Sequence, residues 1–264
     1  MTGTVYLVGA GPGAPDLLTL RAARLLARAD IVFHDALVHP DTVALATDAI
    51  KVAVGKRCGR HATSQRRIER YLVDAAAKHA VVVRLKGGDP MLFGRAQDEI
   101  AALEAAGIDY QVVPGVTAAL AAAAEIGTPL TLRGQVRSFA FVTPQTGVSQ
   151  PPSGWAEAAR HADGAAVYMG MCEATRVARE LIAAGTPAAT PVAIVASASL
   201  AESNVRYTTL GELPALAARR VAGPVLLLVG PQFRAHPRPA RNAGNRAGLQ
   251  HRGRSPAREV ALIA

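Results

Sequence analysis

Val5-Tyr6-Leu7-Val8-Gly9-Ala10-Gly11-Pro12-Gly13-Ala14 runs four residues of strand character into a glycine-rich turn, and Leu17–Arg28 follows with Leu18, Ala22, Leu25 and Ala29 at helical spacing. A strand that turns tightly into an amphipathic helix is the opening of a crossover βα unit, which builds parallel sheets. The pattern repeats. Apolar, β-branched runs at Asp30–Phe33, Lys51–Val54, Val81–Leu85 and Tyr110–Val113 predict four further strands, and Gln65–Ala77 predicts a helix with Ile68, Leu72 and Ala75 on one face. A second series is expected at Ser138–Thr143, Ala166–Met169, Val192–Ala196, Arg206–Leu210 and Val225–Val229, with helices at Thr175–Ala184 and Pro214–Arg220. The Gly- and Pro-containing stretch 127–134 separates the two series as a linker, and Pro144–Gly154 reads as a surface loop beside it. The expected organisation is an α/β domain over residues 1–130, a second over 131–232, with mostly parallel or mixed sheets, and a basic, disordered tail over 233–264.

Composition removes several function classes. Half of the 264 residues are hydrophobic, which excludes a chain disordered throughout. No apolar run reaches the roughly 20 residues that a membrane-spanning helix needs. The start lacks a basic n-region and enters a strand at once, so neither a signal nor a transit peptide is expected, and the location implied is the cytoplasm. Cys58 and Cys172 stand apart without CxxC spacing, so free thiols are expected rather than a disulfide or a metal site. The net charge of +9 is concentrated at the end, where residues 231–264 hold seven arginines against Glu259 and leave +3 for the remainder. Phe233 is the only aromatic residue after 230, so the tail lacks the stacking side chains of a nucleic-acid binder, and no specific nucleic-acid partner is expected.

Three glycine turns leave predicted strands at the edge where open α/β sheets bind ligands. Gly9 to Ala14 has the position of a dinucleotide fingerprint, and Asp35 stands where a ribose-binding carboxylate would; an NAD-type oxidoreductase is therefore one reading. Pro12 and Pro15 oppose it, because each deletes an N–H where a pyrophosphate cradle needs one. A ligand-free turn fits as well. Lys86-Gly87-Gly88-Asp89-Pro90-Met91-Leu92-Phe93-Gly94-Arg95 supplies paired glycines for close backbone approach and a carboxylate acceptor, or a turn in which Asp89 caps the next helix. In Pro114-Gly115-Val116-Thr117-Ala118, Thr117 can cap a helix or touch a ligand.

Taken together, VGAGPG at 8–13, LLTLRA at 17–22, FHDALV at 33–38, VGKRCG at 54–59, RLKGGDPMLFGR at 84–95, VVPGVTAA at 112–119 and VYMGM at 167–171 resemble the tetrapyrrole (corrin/porphyrin) methylase family over residues 4–230, and within it the uroporphyrinogen-III C-methyltransferases. The resemblance implies two α/β domains with a ligand cleft between them, a homodimer, and S-adenosylmethionine as methyl donor, and it displaces the dinucleotide reading. It implies that Pro12, Gly87, Gly88, Asp89, Leu92, Thr117, Ala118 and Met169 line the donor site, and that Asp35 and Lys56 act as proton acceptor and donor. The chemistry agrees: a pyrrole carbon that attacks a sulfonium methyl becomes cationic and must lose a proton. Arg57, Arg95 and Arg133 are the candidates for pairing with the carboxylates of the substrate, uroporphyrinogen III, and the expected product is precorrin-2, for sirohaem or cobalamin synthesis. Ala14, Leu132, Thr143-Pro144-Gln145 and Ala198 replace residues usual in the family, and Phe93-Gly94-Arg95 is followed by Ala96-Gln97-Asp98-Glu99. These departures keep a methylase of a later precorrin, or a weakly active paralogue, as alternatives.

Overall fold

The computed structural model describes residues 2–55, 64–145, 153–217 and 222–235. Lys56, Arg57 and Cys58 lie outside them, as does nearly all of the expected tail. In the first half the chain forms β1 (Thr4–Gly9), α1 (Leu20–Leu26), β2 (Ile31–His34), α2 (Pro40–Ala44), β3 (Ile50–Ala53), α3 (Gln65–Ala76), β4 (Val81–Lys86), α4 (Ala96–Ala105), β5 (Tyr110–Val113) and α5 (Ala118–Ile126). The second half holds β6 (Phe139–Val142), α6 (Trp155–His161), β7 (Gly164–Tyr168), α7 (Ala174–Ala183), β8 (Pro191–Ala196), β9 (Asn204–Thr209), α8 (Leu213–Ala217) and β10 (Val225–Val229).

The first sheet has the order β3-β2-β4-β1-β5 and is parallel throughout. Side chains of α1 and of the Val38–Ala46 segment pack with Val8, Val32, Val83 and Leu85 in one core cluster. Those of α3 and α4 pack with Leu7, Phe33 and Val82 in another. Alternate residues of a strand face opposite sides of its sheet, so the two clusters are the two covers of one sheet. The neighbours β1 and β4 thus send their chains to opposite faces, which opens a crevice at their carboxyl ends.

The second sheet is mixed, in the order β6-β7-β10-β8-β9. Only β6 and β7 pair in parallel; β10 runs antiparallel to both β7 and β8, and β9 antiparallel to β8. Although α5 precedes the Gly127–Gly134 stretch, it belongs by packing to this sheet. Ala119, Ala122 and Ile126 share a core cluster with Ala166, Ala193, Val195, Leu226 and Leu228. Phe233 completes that cluster with no exposure, its ring edge-on to Phe139 at 6.2 Å. The chain beyond Pro231 is therefore still structural for one further turn, because the 3-10 helix Pro231–Phe233 tucks an aromatic ring under the sheet.

Local chemistry trims the elements. The helix expected over Leu17–Arg28 starts only at Leu20, because Pro15–Leu17 forms a separate 3-10 turn and the Thr19 hydroxyl caps the Ala22 amide. The strand expected to reach Met169 ends at Tyr168, since Met169 is left-handed at φ 56°.

Candidate functional site

The exit loops of β1, β4 and β5 are laced together at the crevice. Ala10 donates its amide to the Lys86 carbonyl at 2.7 Å, and Gly11 and Gly88 exchange two backbone hydrogen bonds, at 3.2 and 2.7 Å. Three glycine backbones meet here. A Cβ on Gly115 would stand 2.3 Å from the Gly88 oxygen and 2.9 Å from the Gly9 Cα. At Gly88 itself, φ is +68° and an added Cβ would find nothing nearer than the Thr117 Cα at 4.0 Å. The outer side of that turn is open to an approaching molecule.

This lacing answers the dinucleotide reading. The Gly11 amide is spent on Gly88, and α1 begins nine residues beyond Gly11, with a first-turn amide taken by Thr19. The glycine loop therefore does not run directly into a helix terminus, the continuous cradle of amides on which a pyrophosphate sits.

The Asp89 carboxylate accepts from the amides of Met91, at 2.8 Å, and Gly115, at 2.9 Å. It therefore fixes the loop against the β5 exit, and each oxygen keeps a further lone pair for a ligand. Leu92 sits half-buried in the turn that this carboxylate organises, its amide on the Asp89 carbonyl. Thr117 holds the N-cap position of α5, yet its side chain makes no cap bond to the helix. Its hydroxyl instead lies 2.6 Å from the Tyr168 phenol, which also accepts from the Ala119 amide at 3.2 Å. Burial pushes the Tyr168 phenol above its ordinary pKa, and the bonds from Thr117 and Ala119 offset part of that rise. Met169 is the next residue, 42% exposed and strained at positive φ, a conformation that clusters at ligand sites. Pro12 lies between Gly11 and Gly13, and a Cβ at Gly13 would stand 2.9 Å from the Leu200 Cγ, while Ala14 donates to the Ser199 hydroxyl at 3.0 Å. The candidates Pro12, Gly87, Gly88, Asp89, Leu92, Thr117, Ala118 and Met169 thus gather along one seam where loops of the first half meet the ends of β7 and β8 in the second.

At the carboxyl end of β2, Asp35 accepts from the Arg84 guanidinium at 2.6 Å. Its other oxygen has no protein partner among the described residues, and 29% of the side chain is exposed. Behind Arg84 lies a buried relay: Arg84 Nε donates to Glu99 at 2.9 Å, and Lys86 Nζ donates to the other oxygen of Glu99 at 2.7 Å. Burial works against the charge on both cations. At Arg84 two bonded carboxylates outweigh it and raise the pKa, whereas Lys86, bonded to Glu99 alone and facing Arg84 as a like charge, is lowered by its burial. Sequence reasoning overlooked Arg84, Lys86, Glu99 and Tyr168. Two cations alternating along a buried parallel strand were the available signal, since a covering helix must then supply a counter-charge.

Arg95 is left-handed at φ 56° and is paired with Asp98 on the surface, and Arg133 lies exposed in the turn closed by Leu132 and Val136. The structure brings neither into the polar contacts of the seam. Cys172 is free and exposed. A cavity of about 260 Å³ at the far end of the second sheet, lined in part by Arg160, Asp163 and Thr186, contains none of the candidates. Among the described residues no helix is long and apolar enough to cross a membrane, and no His, Cys, Asp and Glu side chains group to hold a metal.

A parallel sheet and a mixed sheet, joined along a seam of glycine backbone, apolar side chains and a carboxylate on a buried guanidinium, define a two-sheet α/β protein with a candidate small-molecule site at the seam. Residues 4–214 match the family described as Tetrapyrrole (Corrin/Porphyrin) Methylases. A siroheme synthase of Azotobacter vinelandii is 47% identical over 230 residues, which cover 86% of this chain and 50% of that protein. The chain spans about half the length of the curated relatives it matches. A crystal structure of uroporphyrin-III C-methyl transferase from Thermus thermophilus, complexed with S-adenyl homocysteine, superposes with a TM-score of 0.76 at 39% identity, covering 86% of this chain and 97% of that one. A cobalt precorrin-4 methyltransferase superposes at 0.75 with 26% identity, covering 88% and 96%. The chain belongs to the tetrapyrrole (corrin/porphyrin) methylase family.

Proposed function

We propose that this chain transfers methyl groups from S-adenosylmethionine to pyrrole carbons of uroporphyrinogen III, giving precorrin-2. The observation that carries the reading is the seam itself: the exit loops of β1, β4 and β5 converge with the end of β7 around an open glycine turn. The likeness to the Thermus thermophilus enzyme, which covers nearly all of that enzyme, supports the substrate. The residues present suit such a donor. Gly88 leaves room beside its backbone, Asp89 and Thr117 offer oxygen acceptors, and the exposed Leu37, Phe93 and Met169 give apolar surface for a nucleoside.

Bound S-adenosylmethionine supplies a methyl group on a sulfonium that is already activated towards nucleophiles. The protein's share is then mainly positioning, since holding nucleophile and methyl in line removes the entropy of their encounter. Pro12, Gly87, Gly88, Asp89, Leu92, Thr117, Ala118 and Met169 hold the donor. Asp35 uses one oxygen on Arg84 and keeps the other for the proton that the methylated ring gives up. Lys56, which follows Gly55 in sequence, is the proton donor of the pair: a proton it lends to the ring during tautomerisation is returned, so that one proton leaves for each methyl gained; Gly55 itself lies so close to Asp35 that a Cβ there would be 2.0 Å from the Ala36 nitrogen. Arg57, Arg95 and Arg133 pair with the substrate's carboxylates. Two copies of the chain act as a homodimer in the cytoplasm, and the product serves sirohaem or cobalamin synthesis.

Anaerobic incubation of the purified protein with uroporphyrinogen III and S-adenosylmethionine tests this. Formation of S-adenosylhomocysteine together with the absorption of precorrin-2 is expected. Binding of the methyl donor with neither product would transfer the assignment to a methylase of a later precorrin, the reading that Leu132 and Ala198 favour by replacing residues usual in the family.

A further inference from the structure

The hydroxyl that caps α5 comes from across the seam. An extended residue at a helix N-cap ordinarily offers its own side-chain oxygen to the amide two or three positions on. Thr117 has the extended conformation, φ −75° and ψ 153°, and the right chemistry, but its oxygen does not reach back to the helix. The Ala119 amide donates to the Tyr168 phenol, the last residue of β7 in the second sheet, and the same phenol holds the Thr117 hydroxyl at 2.6 Å. The ring is fixed on two further sides: Phe93, from the exit loop of β4, packs on it at 5.1 Å, and Phe141 of β6 stands edge-on at 6.2 Å. Tyr168 is therefore the point where the β4 exit loop, the start of α5 and the strained Met169 are held in one arrangement.

We infer that Tyr168 is a positioning residue for the methyl-donor site: its hydroxyl, at the end of β7, sets the Thr117 side chain and the first turn of the helix that packs on that sheet. The inference rests on the reading of this seam as the donor site. Without the phenol, Thr117 is free to turn back and cap its own helix, the ordinary arrangement, and its hydroxyl then leaves the seam. Donor affinity in this protein consequently depends on the end of β7 as well as on the exit loops of the first sheet.

Calorimetric binding of S-adenosylhomocysteine to the full chain tests it, beside KM and kcat for methyl transfer. Tyr168→Phe keeps the ring and its aromatic neighbours and removes only the hydroxyl. The dissociation constant should rise about tenfold, the equivalent of about 1.4 kcal/mol, and the KM for S-adenosylmethionine should rise with it, while kcat stays within about threefold. Thr117→Val should produce a similar loss, the double variant should be no worse than either single one, and Thr117→Ser should retain affinity. Tyr168→Phe binding within about twofold of wild type, even with a lowered Tm, would reduce the phenol to a structural cap and overturn the inference; so would strictly additive losses in the double variant. A wild-type chain that takes up no S-adenosylhomocysteine would bring down the functional reading itself and this inference with it.

Discussion

Glu99→Gln is the most discriminating single change that the structure offers. Glu99 has no exposure and accepts from both Arg84 and Lys86, which are 3% and 2% exposed. Glutamine keeps the shape and one acceptor oxygen, but it turns an NH₂ towards the second cationic donor and leaves two buried cations with Asp35 as their remaining counter-charge. Breaking one side of a buried ion pair costs about 3–5 kcal/mol. For a domain of this size each kcal/mol moves Tm by about 2–4 °C, so a fall of roughly 6–20 °C at pH 7 is expected in calorimetry or far-UV melting. The loss also carries a pH signature. Lys86 binds its proton less tightly in the folded chain than in the unfolded one, so between its folded and unfolded pKa values the unfolded state holds the extra proton and stability rises with pH. Removing Glu99 takes away the attraction that props up the Lys86 pKa and extends that interval to lower pH. The deficit of the variant should therefore shrink between pH 7 and pH 9, and adding Lys86→Met should recover part of it at pH 7. A deficit under about 2 °C, or one that grows with pH, would refute the picture of a buried relay held by opposite charges.

Gly115→Ala should be severe for a different reason, since its Cβ would fall 2.3 Å from the Gly88 oxygen and force the three glycine loops apart; titration with S-adenosylhomocysteine should show little or no binding, and normal binding would show that the close approach is dispensable. Asp35→Asn should lower methyl transfer by about 10²–10⁴-fold, the range of a general acid or base, with S-adenosylhomocysteine affinity within about threefold of wild type, and a wild-type rate in that variant would remove Asp35 from the reaction.

The first sheet was legible because its signal is local. Runs such as Val81–Leu85 alternate with helices that carry Leu72 or Leu25 at helical spacing, and crossover units leave little choice but a parallel sheet. Strand direction in the second half was less so. Nothing in Val225–Val229 says that it will lie antiparallel to two neighbours, because that depends on how far the connections reach and not on the strand's own residues. The candidate donor residues were legible as motifs, but the way they are held was not. Asp89 and Thr117 look interchangeable as capping residues, yet Asp89 ties two loops through backbone amides while Thr117 leaves its capping duty to Tyr168, 51 positions away. The relay behind Asp35 escaped for a related reason: Arg84 falls inside an expected strand and Lys86 opens a glycine turn, and the shared partner of both, Glu99, comes from α4, 15 and 13 residues later. Long-range charge compensation has no period in the sequence.

The allegiance of α5 reaches beyond the site. This helix is encoded ahead of the Gly127–Gly134 stretch but completes the hydrophobic interior of the sheet encoded after it. A gene cut at that stretch would strip the later fragment of a helix that its sheet requires and leave the earlier fragment exposing an alanine-rich helix with nothing to cover it. The two halves are consequently not exchangeable modules. A chimaera between relatives that crosses over at the apparent linker would marry one parent's helix to the other's sheet, whereas a junction ahead of Pro114 would let that packing travel as a unit.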